Sequence, residues 1–141
     1  MRKAKRILVG LKTFDHAVEL TDLACRVGAA NASLMLAHVI ELPEPTPLDA
    51  DVPEMDAEAK RILGAAERVA RRTGMKISRQ VFRAHNAGEA LLEEMKHKKI
   101  DLAVLGYHHK RTIGEILLGT TSKHLSRQAP CKLLLSIPVR K

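Results

Sequence analysis

The chain has 141 residues and a formal charge of +8, from 24 Lys and Arg against 16 Asp and Glu. That length fits one domain, large enough to bury roughly 68–70% of its unfolded surface without staples. Only Phe14, Phe82 and Tyr107 are aromatic, so the core is aliphatic, and single-strand nucleic-acid binding, which stacks bases on rings, is disfavoured.

The excess of positive charge points to an anionic partner, whether nucleotide, nucleic acid or acidic surface. A duplex reader needs only a basic helix, so a nucleic-acid-binding module stays open as a minor reading. Cys25 and Cys131 lie far apart, with no C-x-x-C and no metal-ligand spacing. They read as reduced, buried thiols. The basic start, Arg2-Lys3-Ala4-Lys5-Arg6, is followed by an apolar run that ends at Lys12, too short for a signal sequence. No segment approaches the about 18 apolar residues of a membrane span. A soluble, cytoplasmic protein is expected.

Ile7 to Leu11 is a continuous apolar run, as in a central parallel strand buried on both faces. Thr13 or Asp15 can cap a helix to about Ala29, with Ala17, Leu20, Ala24 and Val27 on one face. Gly28 and Asn31 lie where that helix would end. Ser33 to Ile40 (SLMLAHVI) reads as the second buried strand, and His38 within it as a packed, hydrogen-bonded histidine. Pro43, Pro45, Pro47 and Pro53 mark an extended loop.

Asp51 and Glu54 have capping-box spacing. The helix that follows runs to about Thr73, carries Met55, Ala59, Ile62, Ala66 and Val69 on one side, and stops at Gly74. Lys76 to Arg83 (KISRQVFR) intersperses charges among apolar residues and suits a sheet edge. Asn86 with Glu89 caps a third helix, whose basic end, Lys96 to Lys99, complements the helix dipole. Leu102 to Leu105 is another buried strand, Gly119-Thr120-Thr121-Ser122 opens a fourth helix, and Lys132 to Ile137 (KLLLSI) is the last strand.

This β-α-β-α-β-α-β-α-β order makes one domain over residues 1–141, an α/β doubly wound parallel sheet. Ligands of such sheets bind beyond the carboxyl ends of the strands, where the winding reverses. For order 3-2-1-4-5 that is between strands one and four. The loops starting at Gly10 and Gly106 meet there, and Lys12, Lys110 and Arg111 form a basic mouth beside Gly119 and Thr120. Neither G-x-G-x-x-G nor a P-loop is present. His108, His109 and His124 lack a completing Cys or carboxylate, so no metal is expected. No catalytic constellation can be assembled, so enzyme chemistry has no positive support.

The opening I-L-V, the H-V-I ending strand two, D-L-A-V-L-G at Asp101 to Gly106, E-I-L-L-G-T at Glu115 to Thr120 and the terminal A-P-C-K-L-L-L together resemble the universal stress protein family, over essentially the whole length. Gly106 and Gly119-Thr120 match the first and last parts of its nucleotide motif, G-x-x-G-x9-G-[ST]. The resemblance implies a Rossmann-like open five-stranded parallel sheet (order 3-2-1-4-5) with four helices, two on each face. It also implies a stress-response and regulatory binding protein, homodimeric through Lys132 to Ile137. Together with the basic mouth, the candidate nucleotide-binding set comprises Gly10, Lys12, Val39 and Gly106, then His109, Lys110 and Arg111, and finally Gly119, Thr120, Thr121 and Ser122.

Two positions depart from the family pattern. His109 stands at the second glycine of the motif, and Lys12 stands where ATP-binding members carry an acidic residue. An imidazole crowds backbone that must approach phosphate, and Lys supplies donors only. The donors at Gly119 to Ser122 and the charges at Lys12, Lys110 and Arg111 argue the other way. ATP bound as a nucleotide switch, with or without weak hydrolysis, another phosphate anion, or no small ligand all remain open at this point.

Overall fold

A computed structural model describes residues 3–106 and 120–137. In chain order the elements are β1 (Ala4–Gly10), α1 (Phe14–Val27), β2 (Gly28–Glu41), α2 (Pro53–Arg71), β3 (Lys76–Ala84), α3 (Ala87–His97), β4 (Leu102–Gly106), α4 (Thr120–Gln128) and β5 (Lys132–Ser136). All strand pairs are parallel, in the order β3-β2-β1-β4-β5. The expected five-stranded sheet and its reversal between β1 and β4 are both present.

Side chains alternate across the sheet and divide the core in two. Ile7, Val9, Leu34, Leu36 and Val104 pack on one face with Ala17, Leu20 and Ala24 of α1 and Ile62, Leu63, Ala66 and Ala70 of α2. Leu8, Met35, Ala37, Ala103 and Leu105 pack on the other with Leu91, Leu92 and Met95 of α3 and Leu125 of α4. Each face therefore carries two helices. Because β1, β2 and β4 are covered on both sides, their sequences are apolar runs and do not alternate. β3 lies at an edge, and its charges are held from α2: Arg79 by Glu67 at 3.1 Å and Arg83 by Asp56 at 2.9 Å.

Several local expectations need correction. β2 starts at Gly28, five positions before Ser33, because the chain passes directly from α1 into an extended conformation (φ −82°, ψ 158° at Gly28). Its pairing with β1 is irregular between Ala4 and Arg6. The Asp51–Glu54 capping box does not form. Val52 is the N-cap without a side-chain bond, and Pro53 belongs to the first turn of α2, where its fixed φ favours initiation. Met55 is 38% exposed and not on the packed side. Thr13 occupies the N-cap position of α1, also without a side-chain capping bond. The Asn86 cap does form, its Oδ1 accepting from the Glu89 amide at 3.0 Å. Gly74 ends the α2 turn with φ 77°, which a side chain would resist.

Candidate functional site at the sheet reversal

β1 and β4 are neighbours in register, Gly10 opposite Leu105, so their carboxyl ends open side by side. Gly10 is a close-approach position: a β-carbon there would come within 2.6 Å of Leu105 Cδ2. At Gly106 it would lie 3.1 Å from Leu20 Cδ1 of α1. Both glycines let backbone, and not side chain, form the floor of the mouth.

The segment leaving β1 is held by β2. The Leu11 amide donates to the Ala37 carbonyl at 2.8 Å, and the Leu11 carbonyl lies 2.6 Å from His38 Nδ1. A carbonyl can only accept, so Nδ1 carries the proton in this pair. His38 is 8% exposed, the packed, hydrogen-bonded histidine expected of it. Lys12 follows with its side chain exposed.

Beyond Thr13, the start of α1 is held by α2. The Arg61 guanidinium lies over the Phe14 ring, 4.0 Å from its centroid, a cation–π contact. The same guanidinium binds Glu58 through two bonds of 2.9 and 3.1 Å. That hydrogen-bonded pairing holds the Glu58 carboxyl below its ordinary value. Lys12 and Thr13 are thus a short bridge between anchored neighbours. The Thr13 hydroxyl oxygen is buried with no hydrogen-bond partner among the described residues.

α4 supplies the opposite wall. Because β4 and β5 are parallel, the helix joining them must run back across the sheet. Its first residue, Thr120, therefore starts at the carboxyl edge, where the positive end of the helix dipole favours an anion. Of the site residues named from sequence, Gly10, Lys12 and Gly106 come together at the β1–β4 reversal. Val39 is half-buried near the end of β2, but it packs with Phe82 against the α3–α4 face, opposite to His38. Thr121 and Ser122 lie in the first turn of α4. His109, Lys110, Arg111 and Gly119 lie outside the described residues.

Leu11 and the Phe14–Arg61–Glu58 group were not anticipated from sequence. Their signal is a carbonyl and a set of contacts between distant helices, which no local pattern carries. A separate cavity of about 750 Å³ opens two strands away, among Glu44, Leu48, Phe82, His85, Glu89, Glu93 and Glu94. Arg83, which also lines it, is already paired with Asp56, and the glutamates repel the phosphate that the reversal favours, so the reversal remains the better anion site. Among the described residues, no three His, Cys, Asp or Glu side chains gather as a metal would require, and no helix is long and apolar enough to cross a membrane.

Comparison with known proteins follows the same line. Residues 3–136 match the Universal stress protein family. A universal stress protein of Thermus aquaticus, described by its position in the 3′ region of QAH/OAS sulfhydrylase, is 29% identical over 136 residues, spanning 93% of this chain and 97% of that protein. A universal stress protein solved in complex with cAMP superposes with a TM-score of 0.73 at 24% identity, covering 98% of this chain and 100% of the other. One from Archaeoglobus fulgidus in complex with dAMP gives 0.65 at 16% identity, covering 93% and 96%.

Proposed function

The chain belongs to the universal stress protein family, and from that premise we propose that it is a regulatory binding protein taking an adenine nucleotide at the β1–β4 reversal. The observation that carries this reading is the juxtaposition of Gly10, Lys12 and Gly106 at adjoining strand ends, faced by the amino end of α4. Two similar structures hold adenine nucleotides, cAMP and dAMP, which supports adenine as the base. The phosphate meets the α4 amides and the Lys12 ammonium, both donors. The protein acts by binding and not by catalysis, in the cytoplasm, as a homodimer joined along the β5 edge. ATP is the expected physiological ligand, with AMP and cAMP as competitors for the same mouth.

The experiment is titration calorimetry of the purified protein with ATP, AMP and cAMP, preceded by mass spectrometry for co-purified nucleotide. Saturable binding of at least one of them, weakened by Lys12→Ala and by raised salt, is the expected result. Binding of none, with the fold intact by circular dichroism, removes the nucleotide reading. Tight binding of duplex DNA with a steep salt slope, and no response to nucleotide, would replace it with the nucleic-acid reading.

A further inference from the structure

We infer that His38 is a positioning residue for the ligand mouth: through Leu11 it sets the backbone of Lys12 and Thr13 in the geometry the ligand meets. His38 lies on the β2 face turned toward α1 and α2, the face that also carries Leu34 and Leu36. An ordinary core position there would be aliphatic. Instead an imidazole, 8% exposed, spends its Nδ1 proton on one backbone carbonyl, that of Leu11, at 2.6 Å. Leu11 is the first residue beyond β1, and its amide is already taken by Ala37. Its carbonyl is the next group in line, and without His38 it would be a buried acceptor lacking this donor.

The consequence falls on the two residues that follow. Lys12 and Thr13 are anchored on one side by the Leu11–His38 bond and on the other by Phe14 under Arg61. A binding loop held at both ends loses less entropy when its ligand arrives. Removing the His38 end therefore frees the loop while the sheet, which pairs β1 with β2 through many other bonds, stays formed. The imidazole acts through Leu11 and does not itself touch the ligand.

The ligand part of this inference rests on the nucleotide reading above, so the test has two arms. Asn places an amide nitrogen near the position of Nδ1 and can donate to the same carbonyl; Leu cannot. In ligand-free protein, His38→Leu should speed hydrogen exchange at the Leu11 amide, which is bonded to the Ala37 carbonyl, and His38→Asn should restore slow exchange there. Leu34→Ala, on the same face of the same strand, serves as a control for general loss of stability and should not raise exchange at Leu11 beyond that of the other β1 amides. With the nucleotide that wild type binds, His38→Leu should lose about tenfold in affinity or more, and His38→Asn should recover most of it. Exchange at the Leu11 amide unchanged in His38→Leu overturns the inference. So does wild-type affinity in His38→Leu, or an equal affinity loss in Leu34→Ala. If wild type binds no nucleotide, the proposed function fails by itself, and the exchange arm still decides whether His38 holds the loop.

Discussion

His124 of α4 lies against Gly88 in the first turn of α3, so close that a β-carbon on residue 88 would stand 3.0 Å from His124 Cδ2 and 3.3 Å from His124 Cβ. This contact seats α4 on α3 and so bears on where the amino end of α4 stands. Gly64, inside α2, is the opposite case, with nothing within 4 Å of its absent β-carbon. Gly64→Ala should therefore stabilise the protein by about 0.5–1 kcal/mol, the backbone-entropy gain of removing a helical glycine. Gly88→Ala should forfeit that gain to overpacking and lower stability by about 1 kcal/mol. Thermal melts check both, with shifts of about 2–4 °C in opposite directions. Equal upward shifts would mean that His124 yields freely.

The carboxylate of Asp101 accepts from two successive amides of β1, Lys5 at 3.0 Å and Arg6 at 3.1 Å, while the Asp101 amide donates to the Arg6 carbonyl at 2.9 Å. One residue thus ties the start of β4 to the start of β1, and sets the register that brings Gly10 and Gly106 side by side at the far end. Bonds to a charged acceptor are stronger than neutral ones, although exposure to water reduces the net effect. Asp101→Ala should cost about 1–2 kcal/mol in urea unfolding, and Asp101→Asn, which keeps one carbonyl acceptor, about half of that. No loss in the Ala variant would show that β1 and β4 pair without this tie.

Much of the architecture was legible because local pattern and tertiary role coincide. Ile7 to Val9, Leu34 to Ala37 and Ala103 to Leu105 are apolar without interruption because helices cover both faces of those strands. Asn86 and Glu89 announce a cap by spacing alone. Asp51 and Glu54 have the same spacing and form none, because Pro53 between them already starts the helix. The holding contacts of the site were not legible. Leu11 meets His38 across 27 positions, and Phe14 meets Arg61 between helices. Such pairs depend on which face of each element turns inward at a given register, and that is decided by packing. Arg83 shows the same limit. Its charge reads as edge protection, yet the guanidinium also donates to the carbonyls of Leu48 and Ala50, at 3.1 and 2.6 Å, and so clasps the proline-rich loop.

Both thiols, expected to be buried, are only partly so, and that partial burial pushes them up from their ordinary value of 9.0, with Asp22 adding to the rise at Cys25 and Asp101 at Cys131. The Thr73 side chain opposes the rise at Cys25 and the Ala103 backbone opposes it at Cys131. A thiol with a raised folded pKa keeps its proton after the unfolded chain has lost its own. The associated stability is present at neutral pH and is lost as pH climbs above about 9. Iodoacetamide should therefore label folded protein slowly at neutral pH and both cysteines quickly in urea, since the thiolate is the nucleophile. The melting temperature should begin to fall on the alkaline side, and a Cys25→Ser, Cys131→Ser double variant should lose part of that slope. Rapid neutral-pH labelling of either cysteine in the folded state would contradict the burial argument.

The proposed dimer edge can be separated from the opposite edge of the sheet by two exposed side chains. β5 pairs with β4 on one side and has no strand on the other among the described residues. Its Leu133, Leu134 and Leu135 are only half-buried, and Ile137 just beyond is 48% exposed. An apolar edge of this kind favours pairing with a second copy about a two-fold axis. At the other edge, β3 carries Lys76, Arg79 and Arg83, which discourage strand addition, and the nearby Leu48 is 40% exposed. Analytical ultracentrifugation should find twice the chain mass of 15.6 kDa. Ile137→Asp changes a side chain that is already 48% exposed within one chain yet places a charge in the joint, so it should shift the protein toward monomer. Leu48→Asp, at a similarly exposed position on the β3 side, should leave the dimer intact. Sedimentation of wild type as monomer, or a dimer broken by Leu48→Asp and indifferent to Ile137→Asp, would rule out assembly through β5.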